Sequence, residues 1–312
     1  MTTKGASKVM QCFGVKRGES VLIVVDTSTP PSISKSLFKA AKDMGCEVII
    51  LTMIPRSRHG EEPPRAVSEA MLNSDVVIAP TTMSLTHTQA RINATTKGVR
   101  IASMPGITEN MMRSGGITAD CMMINDLAMK WNKRLKNVRE VRVVTKSGTD
   151  ITFDLEGCTW MMDTGMCQEK GCSSNLPAGE MYIAPKGANG VFVVDGSMSG
   201  FGILDSPIKI TVRNRYVTSI EGKHAEKLIS MLDAVGEKAR NIAELGIGIN
   251  PEARLIGNVL EDEKVGGTVH IALGDNSCFG GDVIAGIHLD GIIKEPVLFL
   301  DGEKFILSYD NI

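Results

Sequence analysis

Apolar strands alternate with amphipathic helical segments through the first 105 residues, and this alternation is the strongest constraint on the fold. The strand-like runs are SVLIVVD at 20–26, EVIILTM at 47–53, DVVIAP at 75–80 and RIASMP at 100–105. Helices are predicted between them, near 31–45, 63–73 and 86–97. Continuous apolar runs separated by helices are typical of a mostly parallel sheet covered on both faces. Residues 1–136 are therefore predicted to form an α/β domain.

The pattern changes after residue 136, where apolar and polar residues alternate. The stretch VREVRVVTKSGTDITFDLEG alternates around Ser147-Gly148, which indicates a hairpin. Further strands are predicted at 180–184, 191–195, 207–213 and 215–220, with Asn214 at the turn of a second hairpin. One long helix is predicted at 224–245. Residues 137–312 are therefore expected to form a β-rich α+β domain, and a chain of 312 residues has room for two domains of ~100–200 residues each.

Composition excludes several classes of partner. Lys and Arg number 34 against 36 Asp and Glu, and only 4% of residues are aromatic, so nucleic acid is not an expected partner. No run approaches the ~18–20 apolar residues that a membrane span needs, and the first residues lack an apolar signal segment. Seven scattered cysteines without a CxxC pair favour reduced thiols. We therefore expect a cytoplasmic protein with no membrane partner.

Two of the five histidines lie in the segment GTVHIALGDNSCFGGDVIAGIHLDG, residues 267–291. Its pattern predicts two short strands, around His270 and His288, joined by a glycine-rich loop at 274–286. In a strand, side chains two apart point to the same face, so His288 and Asp290 can reach one point together. With His270 they would form a two-histidine, one-carboxylate set that binds first-row divalent metals. The alternative is that the histidines are hydrogen-bonded core residues.

Acidic residues stand beside glycine or proline in otherwise apolar segments. Glu180 ends NLPAGE, Glu244 lies in AELGIGINP, and LEDEKVGG contributes three consecutive acids at 261–263. An unpaired carboxylate in apolar surroundings is costly, so these groups need cations. Lys186 or Arg254 could serve as partners. A divalent metal would satisfy several of these carboxylates at once.

These segments carry a resemblance to a known family. NLPAGEMYIAP, AELGIGINP, LEDEKVGGTVHIALGDN and GIHLDG, in this order, resemble the metal-site segments of the thermophilic aminopeptidase (aminopeptidase T, AmpS) family of metallopeptidases. The resemblance implies one or two divalent ions (Zn, Co, Mn or Mg), a homodimer, and an enclosed cavity for a small-molecule or short-peptide substrate. It places the metal ligands at Glu180, Glu244, Glu263, His270, His288 and Asp290.

The leading hypothesis from the sequence is a metal-dependent hydrolase in which a metal-activated water attacks an amide or peptide carbonyl. Glu180 and Glu244 are the predicted catalytic carboxylates, with Glu244 as general base or bridging ligand. Members of the resembled family usually carry a tyrosine seven residues after the first site histidine, where this chain has Ser277. Asn276, Ser277 or amides of their loop are therefore predicted to donate hydrogen bonds to the developing oxyanion.

Other hypotheses remain open. The HLD segment at 288–290 also resembles the iron-dependent 2,5-dihydroxypyridine dioxygenase. That resemblance implies an Fe(II) enzyme that uses His270, His288 and Asp290 to cleave a hydroxylated N-heterocycle. Glu180 and Glu244 count against it, because the resembled enzyme has a histidine at the second position and lacks the acid at the first. A hydrolase of a non-peptide, cyclic amide and a non-catalytic binding protein are the further alternatives.

Overall fold

The computed structural model describes residues 3–307. The first half of the chain alternates helices and strands: α1 (Lys4–Cys12), β1 (Ser20–Asp26), α2 (Pro31–Asp43), β2 (Glu47–Met53), α3 (Arg65–Leu72), β3 (Val76–Ala79), α4 (Gln89–Thr96), β4 (Arg100–Ser103) and α5 (Cys121–Leu135). Strands then dominate: β5 (Glu140–Val144), β6 (Asp150–Asp154), β7 (Met161–Asp163), β8 (Ser173–Asn175), β9 (Glu180–Ile183), β10 (Gly187–Val194), β11 (Ser197–Met198), β12 (Gly202–Ile203), β13 (Ile208–Arg213) and β14 (Tyr216–Glu221). The last elements are α6 (Ala225–Asp233), β15 (Ile242–Gly248), α7 (Val259–Asp262), β16 (Val269–Gly274), β17 (His288–Ile293), β18 (Val297–Leu300) and β19 (Glu303–Phe305).

The chain forms two compact units. Within the described residues 3–307, the first comprises 3–125, 163–178 and 251–253, and the second comprises 126–162, 179–250 and 254–307. The first unit contains a parallel sheet with strand order β2-β1-β3-β4-β8. Its strands β1, β3 and β4 are buried almost throughout, as continuous apolar runs between helices predict. The predicted mixed α/β fold class is confirmed.

Two features of the first unit were not predicted. Strand β8 comes from far along the chain and pairs in parallel with β4, because three polar residues, Ser173–Asn175, carry no apolar signal. Cys167 and Cys172 form a disulfide bond, whereas the cysteine pattern had favoured reduced thiols throughout. Among residues 3–307, no helix is both long and apolar enough to cross a membrane.

The second unit contains two antiparallel sheets. One has strand order β14-β13-β10-β6-β5-β18-β19 and includes both predicted hairpins. At the turn between β13 and β14, Asn214 and Arg215 both have positive φ, as a two-residue hairpin turn requires. The other, which we call the site sheet, has the order β12-β11-β17-β16-β15-β9-β7. It carries nearly all of the predicted metal ligands.

The predicted helix at 224–245 is wrong in its second half. Helix α6 ends at Asp233, and residues 242–248 form β15 instead, between β16 and β9. Every residue of this strand is buried, so its IAELGIG sequence shows neither alternation nor a helical period. Tertiary pairing therefore decides the conformation here, and Glu244 lies within a central strand rather than at a helix end.

The burial of hydrophobic side chains in the second unit predicts which substitutions destabilise the fold. Phe153 on β6 is fully buried, so Phe153→Ala should reduce the free energy of unfolding by about 3–5 kcal/mol. Ile203→Ala on β12, where the side chain is exposed, should change it by less than about 0.5 kcal/mol. Urea denaturation followed by circular dichroism measures both, and equal effects of the two substitutions would contradict the assignment of this core.

Candidate metal centre

Five predicted site residues project from one face of the site sheet. Across β15, β16 and β17, Glu244 lies opposite Ala272, which lies opposite Asp290. On either side of this row, His270 faces Gly246 and His288 faces Gly274, while Glu180 on β9 faces Gly248. Directly opposed residues of antiparallel strands point to the same side, as do residues two apart on one strand. The register therefore brings together side chains that lie up to 110 positions apart in the sequence.

Two glycines on this face make room for the site. A Cβ atom at Gly246 would lie 1.9 Å from His270 Nε2, so the imidazole occupies the space that a side chain would fill. A Cβ atom at Gly248 would lie 2.1 Å from the carbonyl oxygen of Val265. Because Gly248 has no side chain, the backbone at 264–265 passes close over the strand. The other face of these strands carries apolar core residues such as Leu245, Ile247 and Ile271.

His270 lies between two buried carboxylates. Its Nε2 atom is 3.2 Å from Glu244 Oε1 and 3.3 Å from Glu180 Oε2, and the imidazole is fully buried. One donor atom from each of these three residues lies within 4.8 Å of the others. Burial alone would lower the pKa of His270, but the two carboxylates raise it well above its usual value. Burial dominates at Glu244 and raises the pKa of that carboxyl.

His288 and Asp290 complete the cluster. His288 Nε2 lies 3.3 Å from Asp290 Oδ1 and 3.5 Å from Glu244 Oε2, so Glu244 contacts both histidines. Against the effect of burial, Asp290 and Glu244 raise the pKa of His288 to about 10. His288 in turn outweighs the effect of burial on Asp290 and lowers the pKa of that carboxyl to about 2. His288 Nδ1 lies 2.8 Å from the carbonyl oxygen of Asp275, an arrangement that leaves Nε2 for a metal.

The cluster also contains a lysine that the sequence analysis did not single out. Lys264 is fully buried; its Nζ contacts Glu180 Oε1 and lies 2.7 Å from Glu263 Oε1. The lysine and His270 overcome the effect of burial and lower the pKa of Glu180. At Glu263 burial prevails and raises the pKa to about 8. The signal was present in LEDEKVGG, where a lysine follows three acids, but such a run usually indicates a solvated surface.

The loop between β16 and β17 supplies an aromatic neighbour of the cluster. Asn276 Oδ1 accepts a hydrogen bond from the Val283 amide, whereas its Nδ2 is buried without a hydrogen-bond partner. Ser277 Oγ donates a hydrogen bond to Asp275 and so holds the loop itself. The Phe279 ring packs edge-on against His288, with centroids 5.9 Å apart, and against Tyr182 at 5.5 Å.

The donor set fits a divalent metal. Imidazole nitrogens and carboxylate oxygens together suit first-row ions including Fe(II). Glu180 Oε2 is buried without a hydrogen-bond partner, as a carboxylate oxygen near a cation site would be. Glu180, Glu244 and His270 are the three residues whose donor atoms lie within 4.8 Å of one another. Glu244 also contacts His288, which contacts Asp290, so the predicted set of His270, His288 and Asp290 lies on the same face and stays a prediction. The residues present can therefore hold the ion.

This fold and this donor set, buried except for the partly exposed His288, define a metal-dependent enzyme. The chain belongs to the NicX family of 2,5-dihydroxypyridine 5,6-dioxygenases, whose family model matches residues 2–309. Among solved structures, the chain is similar to 2,5-dihydroxypyridine dioxygenase from Pseudomonas putida KT2440, with 19% identity, a TM-score of 0.82, and coverage of 98% of this chain and 95% of that one. It is also similar to wild-type AmpT from Thermus thermophilus, with 15% identity, a TM-score of 0.64, and coverage of 97% and 98%. No curated protein matches the sequence.

The hydrolase hypothesis is therefore wrong, because the family match favours the dioxygenase alternative over the whole chain. Glu180 and Glu244 do not count against the dioxygenase, for a physical reason. The cations that these carboxylates need are present in the protein itself, since Lys264 contacts Glu180 and both histidines contact Glu244. The catalytic roles assigned to Asn276 and Ser277 were deduced for a hydrolase and are not carried over.

The space at Gly246 predicts how the site responds to a single methyl group. Gly246→Ala should displace the His270 imidazole and lower Fe(II) affinity by at least about tenfold. Gly187→Ala on β10 is a matched control, because a Cβ atom there would come no closer than 3.3 Å to any neighbour. Anaerobic titration of each variant with Fe(II) gives the affinities. If Gly246→Ala binds Fe(II) with the affinity of the wild type, this placement of the His270 imidazole is contradicted.

Proposed function

We propose that this protein is an Fe(II)-dependent dioxygenase that cleaves the ring of a hydroxylated pyridine. The observation that carries the proposal is the convergence of His270, His288 and Asp290 on one face of the site sheet in a chain that matches the NicX family model over residues 2–309. Two imidazoles and one carboxylate leave coordination positions open for the substrate and dioxygen. When bound, Fe(II) would supply the redox chemistry that dioxygen needs to react with an aromatic ring.

The side chains around the ion have distinct tasks in this proposal. The Asp275 carbonyl and Asp290 orient His288, so that its Nε2 faces the cluster. Glu244 is a buried carboxylate outside the metal-binding set, and it contacts both histidines. Burial raises its pKa, and we assign its carboxylate to accept the proton when the O–H bond of the ring hydroxyl breaks.

Phe279 provides the apolar surface that a planar ring would contact. Its ring already packs edge-on against His288 and Tyr182, and aromatic groups favour such offset or edge-on arrangements. The partner we propose is therefore a small heteroaromatic molecule. The homodimer implied by the aminopeptidase resemblance stays a prediction.

The direct test is oxygen consumption by the iron-loaded protein. Protein loaded anaerobically with Fe(II) should consume one O₂ for each 2,5-dihydroxypyridine lost, and a chelator should abolish the reaction. His270→Ala should lose bound iron and reduce turnover by more than about 100-fold, since even residues that only orient metal ligands cost ~10–100-fold. His224→Ala is the control, because that histidine contacts Asp205 at the surface. Iron-loaded protein that consumes no oxygen with any hydroxypyridine would contradict the proposal.

The aromatic contact generates a separate kinetic prediction. Phe279→Ala should raise KM for the hydroxypyridine by roughly 2–10-fold and leave kcat nearly unchanged, because an aromatic contact is worth ~0.5–1.5 kcal/mol and acts on binding. Phe201→Ala is a matched control, since Phe201 also packs edge-on against a histidine, His224, outside the cluster. Steady-state kinetics measure both variants. Equal KM values for Phe279→Ala and the wild type would exclude Phe279 from the substrate surface.

A further inference from the structure

Lys264 is an unusual component of the metal centre. Lysine is almost never fully buried unless it is paired with an opposite charge. The Lys264 side chain is completely inaccessible to solvent and is paired in this way. Its ammonium group contacts Glu180 and lies 2.7 Å from Glu263. The absence of a side chain at Gly248 lets the backbone at 264–265 approach the strand that pairs with Glu180. The fold thus places the Lys264 ammonium group at one end of the carboxylate cluster.

The Lys264 ammonium group lies beside two carboxyl groups at one end of the cluster. Its Nζ contacts Glu180 Oε1 and lies 2.7 Å from Glu263 Oε1. Both histidines contact Glu244, and His288 also contacts Asp290. A divalent ion placed next to the ammonium would add positive charge to a buried site, which a low-dielectric interior opposes.

We propose that Lys264 acts as a built-in second cation, which neutralises Glu180 and Glu263 and limits the centre to one divalent ion. Lys264 is a positioning residue: it holds Glu180 at the end of the cluster and leaves metal binding to His270, His288 and Asp290. Without the ammonium, Glu180 and Glu263 would become two adjacent carboxylates with no cation, and such a pair binds divalent ions. The inference rests on the metal site of the proposed function but does not depend on the substrate.

Metal stoichiometry tests the inference without any measurement of activity. Metal-free protein is titrated with Mn²⁺ alone, and bound ions per chain are counted by elemental analysis and by the electron paramagnetic resonance signal of free Mn²⁺. Wild-type protein should bind one ion per chain. Lys264→Met and Lys264→Gln, which remove the charge, should each bind two, with the spectrum of a coupled pair. Lys264→Arg, which keeps the charge, should bind one.

A distant lysine serves as the matched control. Lys209→Met removes an exposed ammonium that lies 3.5 Å from Glu221, and this variant should bind one ion like the wild type. Circular dichroism establishes that each variant is folded. If neither neutral variant folds, the wild-type titration at millimolar Mn²⁺ decides: saturation at one ion supports the inference, and two bound ions overturn it.

The outcomes separate this inference from the proposed function. Wild-type protein that binds no metal would overturn both. One ion in the wild type and one in the folded neutral variants would overturn the role of Lys264 and leave the proposed metal centre intact. Two ions in the wild type would likewise overturn only the role of Lys264.

Discussion

The structure of the second unit depends on how one sheet face accommodates buried charge. Glu180, Glu244, His270 and Asp290 are all buried on that face, and any of them would be costly to bury alone. Each is instead in contact with a group that can carry the opposite charge, in a series that runs from Lys264 through Glu180, His270, Glu244 and His288 to Asp290. The ionisable groups therefore form a single electrostatic unit, in which a change at one member alters the pKa of its neighbours.

Small residues make this density of charge possible. Gly246, Gly248, Ala272 and Gly274 occupy the positions of the face between the charged side chains. Each ionisable residue of the face therefore lies opposite a residue that has little or no side chain. Replacing one of these small residues by a larger one should therefore displace the ligands, although no ligand is itself substituted.

Sequence reasoning could predict the first four strands of the first unit and the residues of the cluster, but not the complete environment of the site. Strands β1 and β2 have the bounds that their apolar runs predict, and His270, His288 and Asp290 follow from two short strands. Strand β15 could not be predicted, because a fully buried central strand has no periodicity and lies directly after helix α6. The pairing of Lys264 with Glu180 could not be predicted either, since the two residues meet only through the packing of the turn after α7 against β15. Local patterns thus identify which residues bear charge, while tertiary contacts decide how that charge is neutralised.

That distinction explains why the same residues supported two chemical interpretations. Counted from the sequence, four carboxylates and two histidines are enough ligands for one or two metal ions. In the structure, Lys264 contacts Glu180, and Glu244 contacts both histidines, and we infer from these contacts that a single divalent ion is sufficient. A mononuclear centre then retains open coordination positions and one unused carboxylate. The chemistry of the face is set less by its metal ligands than by the cation at its edge, which decides how many carboxylates remain for metal.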